Sequence, residues 1–148
     1  MKQFIGTAPF IYLIEGHPIF ADKVIEHFSK SLSKGNTFET SVITLMEFGV
    51  KPAKQNQQAI IDKFKKLLQN LNIQLSTVDE NIAQKAYQLR AKYKFLKGMD
   101  AIQIATALEL NCTVFVTNDK ALKKIVELPI LIMAVSYTHL TLPTNRCV

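Results

Sequence analysis

The chain has 148 residues, of which 48% are hydrophobic and 20% are charged, and this favours one domain with a buried core over a disordered chain. No apolar run approaches the roughly 20 residues that span a bilayer, so we expect no membrane association. The formal net charge of +6 favours a polyanionic partner, although many soluble domains carry a similar charge for solubility alone. Two cysteines give no disulfide framework, which predicts a reducing cytoplasmic location.

In the first half of the chain, strands and helices are predicted to alternate. A strand is predicted over 2–5, a turn over 6–9, a short helix over 10–15 and a second helix over 18–33. After a strand over 37–43, Thr44 and Glu47 have the spacing of a capping box, with Thr44 as the N-cap. An amphipathic helix over 54–70 and a strand over 73–76 follow.

The second half continues the alternation. A helix is predicted over 79–93, with Thr77 or Asp79 as its N-cap, and another begins near Asp100. This helix is apolar around most of its circumference, which predicts that it is buried. A strand over 113–116, a short helix over 120–126 and a strand over 130–133 complete the pattern. The sequence therefore predicts an α/β domain with a mostly parallel sheet covered on both faces.

The predicted domain covers residues 1–134, and the tail over 135–148 has a different character. It reads VSYTHLTLPTNRCV, with no helical period and no acidic residue. A natural extension is one interpretation. The string also resembles the translated read-through of a sequencing adapter, and we favour this second interpretation and assign the tail no function.

Three acidic residues are predicted at strand exits or helix starts, namely Glu47, Asp100 and Asp119. In an α/β sheet, functional groups gather at the carboxyl ends of the strands. Carboxylates that converge repel one another unless a cation neutralises them. Oxygen ligands without histidine or cysteine suit Mg²⁺ or Mn²⁺ better than Zn²⁺. Each acid also has a plain structural interpretation, as a capping-box residue, a helix N-cap and a turn residue respectively.

Four segments carry a family resemblance: FIGTAPFIYLIEG, TSVITLMEFGVKP, LKGMDAIQIATAL and VFVTNDKAL. In this order and at this spacing, the chain resembles a PIN domain, and most closely the VapC-type toxins of bacterial toxin–antitoxin pairs. The resemblance implies a PIN-like, Rossmann-like three-layer α/β/α sandwich. It also implies a ribonuclease whose acids bind Mg²⁺ or Mn²⁺, with RNA as substrate and an antitoxin protein as partner.

The resemblance assigns roles by position. Glu47, Asp100 and Asp119 match the second, third and fourth family acids, and would be both catalytic and metal-binding. Hydroxyl residues that would support the site are Thr7, Ser41 and Thr117. Where the family has its first acid, immediately after the first strand, this chain has Gly6. Losing a metal-binding carboxylate is expected to reduce activity by about two orders of magnitude or more.

Two functions from different classes follow from these residues. The first is a Mg²⁺- or Mn²⁺-dependent endoribonuclease of a toxin–antitoxin pair, impaired at Gly6, with Lys97 and Lys120 as RNA contacts or plain surface lysines. The second is a catalytically inactive PIN module that binds an antitoxin or RNA without cutting. A nucleotide-binding domain is less favoured, because the first turn lacks the G-x-G-x-x-G fingerprint.

Apolar residues of the predicted first and third helices have two interpretations. They could line a groove for an antitoxin helix or for a second copy of the chain in a homodimer, or they could be ordinary core. The residues concerned are Phe10, Ile11, Leu13, Ile14, Phe48 and Val50.

Overall fold

The computed structural model describes residues 1–133, so the predicted tail over 135–148 lies outside the described residues. Within them, five strands form one sheet in the order β3-β2-β1-β4-β5, and every neighbouring pair is parallel. The strands are β1 (Lys2–Ile5), β2 (Thr37–Ser41), β3 (Leu75–Ser76), β4 (Val114–Thr117) and β5 (Ile130–Ile132). None of the helices in residues 1–133 combines the length and hydropathy needed to cross a bilayer.

Helices cover both faces of the sheet. They are α1 (Thr7–Glu15), α2 (Ala21–Ser33), α3 (Val42–Lys54), α4 (Gln58–Asn70), α5 (Glu80–Lys92) and α6 (Gly98–Glu109), and a 3-10 turn spans Lys120–Lys124. Successive strand residues point to opposite faces. Phe4 packs in the core under α5 and α6, and stacks on Phe115 with ring centroids 5.2 Å apart. Ile5 packs in the core under α1 to α4. The predicted three-layer α/β/α sandwich is confirmed.

Several helix starts differ from the predictions, and two are simple shifts, because α2 begins at Ala21 and not at 18 and α4 at Gln58 and not at 54. The first helix begins at Thr7, so the predicted turn over 6–9 is wrong; Gly6 is its N-cap with extended backbone. Pro9 fits the first turn because its missing N–H would have no partner within the helix. The helix α3 begins directly after Ser41, whose Oγ accepts a hydrogen bond from the Ile43 N–H at 3.1 Å. The capping box with Thr44 as N-cap is therefore wrong.

The start of α6 also corrects one interpretation. Gly98 is its first residue and Lys97 its N-cap, so Asp100 is the third helical residue and does not cap the helix. In contrast, Asp79 caps α5 as predicted, accepting from the Ile82 N–H at 3.0 Å.

The predicted apolar groove is divided between core and surface. Phe10 and Phe48 are buried at 0% and 3% exposure, which is the core interpretation. Val50 is 49% exposed, and its neighbour Met46 is 50% exposed. The remaining residues of that set, Ile11, Leu13 and Ile14, pack against the core and are partly buried.

Candidate active site

A cavity of about 350 Å³ lies at the carboxyl ends of β1 and β4. The chain runs from β1 outward to β3 on one side and resumes at β4 on the other, so this is the point where the strand order reverses. Open α/β sheets bind ligands at such a point. The lining residues are Gly6, Thr7, Ala8, Tyr12, Glu47, Asp100, Gln103, Phe115, Thr117, Asn118 and Asp119. The topology thus brings together three carboxylates that are far apart in sequence.

Glu47 is held by the first turn of another helix. Its Oε1 accepts a hydrogen bond from Thr7 Oγ1 at 2.5 Å. Thr7 opens α1 directly after β1, and Glu47 lies in the second turn of α3 after β2. Because β1 and β2 are parallel neighbours, their carboxyl ends bring these two helix starts together. The bond fixes one carboxylate oxygen of Glu47 at the cavity wall.

The surroundings of Asp100 disfavour its charged form. Burial raises the pKa of its carboxyl, and the negative charges of Asp119 and Glu47 raise it further, while Lys97 acts in the opposite direction. Its position in the first turn of α6 would by itself favour a negative charge. Burial and carboxylate repulsion therefore oppose the effect of the helix terminus at this carboxyl.

Asp119 is both a turn residue and a wall of the cavity. Its backbone N–H donates to Thr117 Oγ1 at 3.2 Å, and its Oδ1 accepts from the Ala121 N–H at 3.0 Å as the cap of the 3-10 turn. Asp119 is thus a turn residue, as its plain structural interpretation predicted. This does not exclude a role in the cavity, because the carboxylate also lines it.

Gly6 is buried at the cavity wall between β1 and β4. Its N–H donates to the Val116 carbonyl at 2.9 Å. A Cβ built at Gly6 would lie 3.1 Å from that same carbonyl oxygen and 3.7 Å from the Phe115 ring. The backbone of Gly6 has φ of −73°, which any residue can adopt. A Cβ at this position therefore requires the Val116 backbone carbonyl to move by a few tenths of an ångström.

The donor set suits a hard cation, but its ligands are not gathered around one point. Among the lining residues, the charged groups are all carboxylates, with hydroxyl and amide oxygens beside them. Such oxygen donors fit Mg²⁺ or Mn²⁺. Within residues 1–133, however, no three acidic, histidine or cysteine side chains lie close enough together to hold a metal ion as they stand. The residues fit the ion in chemistry, and the set is incomplete.

Sequence reasoning missed several lining residues and placed one differently. Tyr12 and Asn118 both line the cavity, and the Asn118 amide donates to the Tyr12 hydroxyl. Ser41, expected to support the site, is fully buried beneath the cavity and is not part of its lining. Gln103 does line it, and a signal for it was present, since a glutamine one turn after Asp100 interrupts an apolar helix.

The family of this chain follows from comparison with models of known protein families. The model of the PIN domain matches residues 4–128, which is most of the chain. The chain belongs to the PIN domain family. PIN domains generally depend on divalent metal ions. Comparison with curated protein sequences gave no match.

Solved structures share this PIN fold. A chain of the Rickettsia felis VapBC2 complex, bound to a DNA fragment from its promoter, is 21% identical with a TM-score of 0.73, covering 88% of this chain and 97% of that one. DNA-bound VapBC from Salmonella typhimurium is 21% identical with a TM-score of 0.72, covering 90% and 98%. The Mycobacterium tuberculosis VapC20 toxin, which cleaves the sarcin–ricin loop, is 11% identical with a TM-score of 0.63, covering 85% and 98%. At these identities the likeness establishes the fold alone.

Proposed function

We propose that this PIN domain is a VapC-like toxin, a Mg²⁺- or Mn²⁺-dependent endoribonuclease whose activity is strongly impaired because Gly6 replaces the first acid. One observation carries the proposal: Glu47, Asp100 and Asp119 line a single cavity at the carboxyl end of a PIN-fold sheet. Fold neighbours that are VapBC complexes support an antitoxin partner, and a neighbour that cleaves the sarcin–ricin loop supports an RNA substrate.

The three carboxylates would hold the ion, and the chain's own groups prepare them. Thr7 orients the Glu47 carboxylate, and the turn from Thr117 holds Asp119 at the cavity. Since burial and repulsion raise the pKa of Asp100, its ionised form is the one that a cation would stabilise. When bound, Mg²⁺ or Mn²⁺ supplies a water of lowered pKa and neutralises charge on the scissile phosphate.

The RNA backbone would approach from the side of Lys97 and Lys120. Both lysines are exposed and precede or follow a cavity acid closely in sequence. Phosphate contacts of this kind give sequence-independent affinity that falls with salt. The predicted homodimer and the cytoplasmic location belong to the same proposal.

Restoring the first acid tests the proposal. The full chain and Gly6→Asp would be compared for cleavage of total ribosomal and transfer RNA with Mg²⁺, with Mn²⁺ and with a chelator. We expect Gly6→Asp to cleave at least about a hundredfold faster, and only with a divalent ion. The matched control is Gly6→Asn, which has the same size and the same contact with the Val116 carbonyl but no charge. We expect it to gain nothing.

A second function, from a different class, is a PIN module that binds an antitoxin or RNA without cutting. Two observations favour it. Gly6 stands where the family has its first acid, and within residues 1–133 no three potential ligands lie close enough together to hold a metal ion. If Gly6→Asp is inert on every RNA offered, the module is the better proposal. If the Gly6 chain already cuts as fast as Gly6→Asp, the impairment and the module are both wrong.

A further inference from the structure

A continuous set of buried hydrogen bonds lies beneath the cavity. Gln103 is 4% exposed, and Thr40, Ser41 and Thr44 are 0% exposed. The Gln103 Oε1 accepts from Ser41 Oγ, and its Nε2 donates to Thr44 Oγ1 at 2.7 Å. The hydroxyls of Thr44 and Thr40 are 2.8 Å apart, and Thr40 Oγ1 lies 2.8 Å from the Ile5 carbonyl oxygen. These bonds join β1, β2, α3 and α6.

The direction of each proton in this network follows from its ends. The Ile5 carbonyl can only accept, so the Thr40 hydroxyl gives it its single proton. Thr40 Oγ1 must then accept from the Thr44 hydroxyl, which in turn accepts from the Gln103 amide. On the other side, Ser41 Oγ accepts from a backbone N–H of α3 and gives its own proton to Gln103 Oε1. Gln103 is thus required both as donor and as acceptor.

The network joins the two helices that carry cavity acids. Gln103 lies one turn after Asp100 in α6, and Thr44 lies one turn before Glu47 in α3. The amide bond from Gln103 to Thr44 therefore links the turns from which both carboxylates project. We propose that Gln103 is a positioning residue that sets the spacing of the Glu47 and Asp100 carboxylates and, through it, the affinity for a divalent cation. The second half of this statement rests on the proposed function.

A matched control separates positioning from ordinary stabilisation, because β1 carries another buried glutamine. Gln3 is 5% exposed at the amino end of β1, where its Nε2 donates to Ser31 Oγ at 2.9 Å and its Oε1 lies 2.6 Å from His27 Nε2. It is the same residue type with the same number of side-chain partners, at the end of the strand opposite the cavity. Gln3→Met and Gln103→Met should therefore lose comparable stability.

The test is Mn²⁺ titration of the full chain and these variants by calorimetry. We expect Gln103→Met to raise the Kd by about 10- to 100-fold, the usual loss when a group supporting metal ligands is removed. We expect Gln3→Met to stay within about twofold of the parent.

The proposal is overturned if Gln103→Met and Gln3→Met give the same Kd. Absence of Mn²⁺ binding by the parent would contradict the proposed function, and crystal structures of the two variants would then decide on Gln103. We expect the Glu47 and Asp100 carboxylates to move by more than about 0.5 Å in Gln103→Met and to stay in place in Gln3→Met. Unchanged spacing in both would overturn it.

Discussion

The two ends of the same parallel sheet use polar groups in opposite ways. At the amino end, Gln3, Ser31 and His27 form a compact set of hydrogen bonds, and burial lowers the pKa of His27, which favours its neutral form. At the carboxyl end, carboxylates face one cavity, and the pKa of Asp100 is raised by burial and by its neighbours. One end is built for stability, whereas the other keeps an electrostatic cost that the chain alone does not relieve. A carboxyl in a cavity whose pKa is raised by burial together with neighbouring carboxylates is typical of functional sites.

The largest expected effect is a loss of RNA cleavage when an acid at the carboxyl end of the sheet is replaced. In the Gly6→Asp chain, Glu47→Gln should reduce RNA cleavage by about a hundredfold or more, because a carboxylate that would hold the ion is lost. Stability should not fall, since the new amide oxygen can still accept from Thr7 and one negative charge is removed from the cluster. Cleavage rates and urea unfolding curves would check both expectations. Equal cleavage by the two proteins would remove Glu47 from the site.

The amino end should give the reverse result. Gln3→Leu strands the buried hydroxyl of Ser31 and the ring N–H of His27, and should lower the free energy of unfolding by roughly 1–3 kcal/mol. Cleavage by the Gly6→Asp chain should be unchanged at temperatures where the variant is folded. Urea unfolding measures the first effect and an RNA cleavage assay the second. A loss of activity without a loss of stability would break the comparison.

The fold was largely predictable from the sequence, but the helix starts beside the site were not. Local sequence signals predicted every strand and each of the six helices, although the capping box that predicted α3 placed its start at the wrong residue. Ser41 and Thr44 are both good N-caps, and local chemistry does not choose between them. The sheet decides, because pairing of Ser41 with Ser76 ends β2 there and leaves Thr44 to the buried network.

The same limit applies to the site. The three acids were found because residues after parallel strands share one edge, and this rule needs no coordinates. The half-buried position of His27 beside Gln3 could not be predicted, because a helix face alone does not show what packs against it. The network of Gln103 joins positions 59 and 62 residues apart in sequence, which only the packing of α6 over β2 brings together.

A smaller effect should appear in stability at the carboxyl end. The pKa of the Asp100 carboxyl is raised in the folded chain above its unfolded value of about 3.9. The free energy of unfolding therefore falls as pH rises from the unfolded pKa through the folded pKa, and the ionised carboxylate is destabilising at neutral pH. Asp100→Asn should therefore raise the Tm by roughly 2–4 °C at about pH 7 and by much less at about pH 3.5. Calorimetry at both values would check this.

The control for that prediction is an acid outside the cluster. Asp79 caps α5 through its Oδ1, and asparagine caps helices about as well, so Asp79→Asn should change the Tm little. If both variants raise the Tm equally, net charge explains the gain. A lower Tm for Asp100→Asn at neutral pH would show that the helix terminus outweighs repulsion.

The smallest effect gives the amino end a pH dependence of opposite sign. Burial lowers the pKa of His27, so the folded chain binds its proton less tightly than the unfolded chain, whose value is near 6.5. The stability that neutral His27 contributes is fully present above that value and is lost as pH falls through the folded pKa. Protonation of Asp100 at lower pH has the opposite effect on stability, because it removes a destabilising negative charge from the carboxyl end of the sheet. Urea midpoints between about pH 7.5 and about pH 5.5 should fall in the parent and fall less in His27→Gln, whose amide can still donate to Gln3. Equal slopes in the two proteins would mean that the amino end is not governed by this histidine, because no other change separates them.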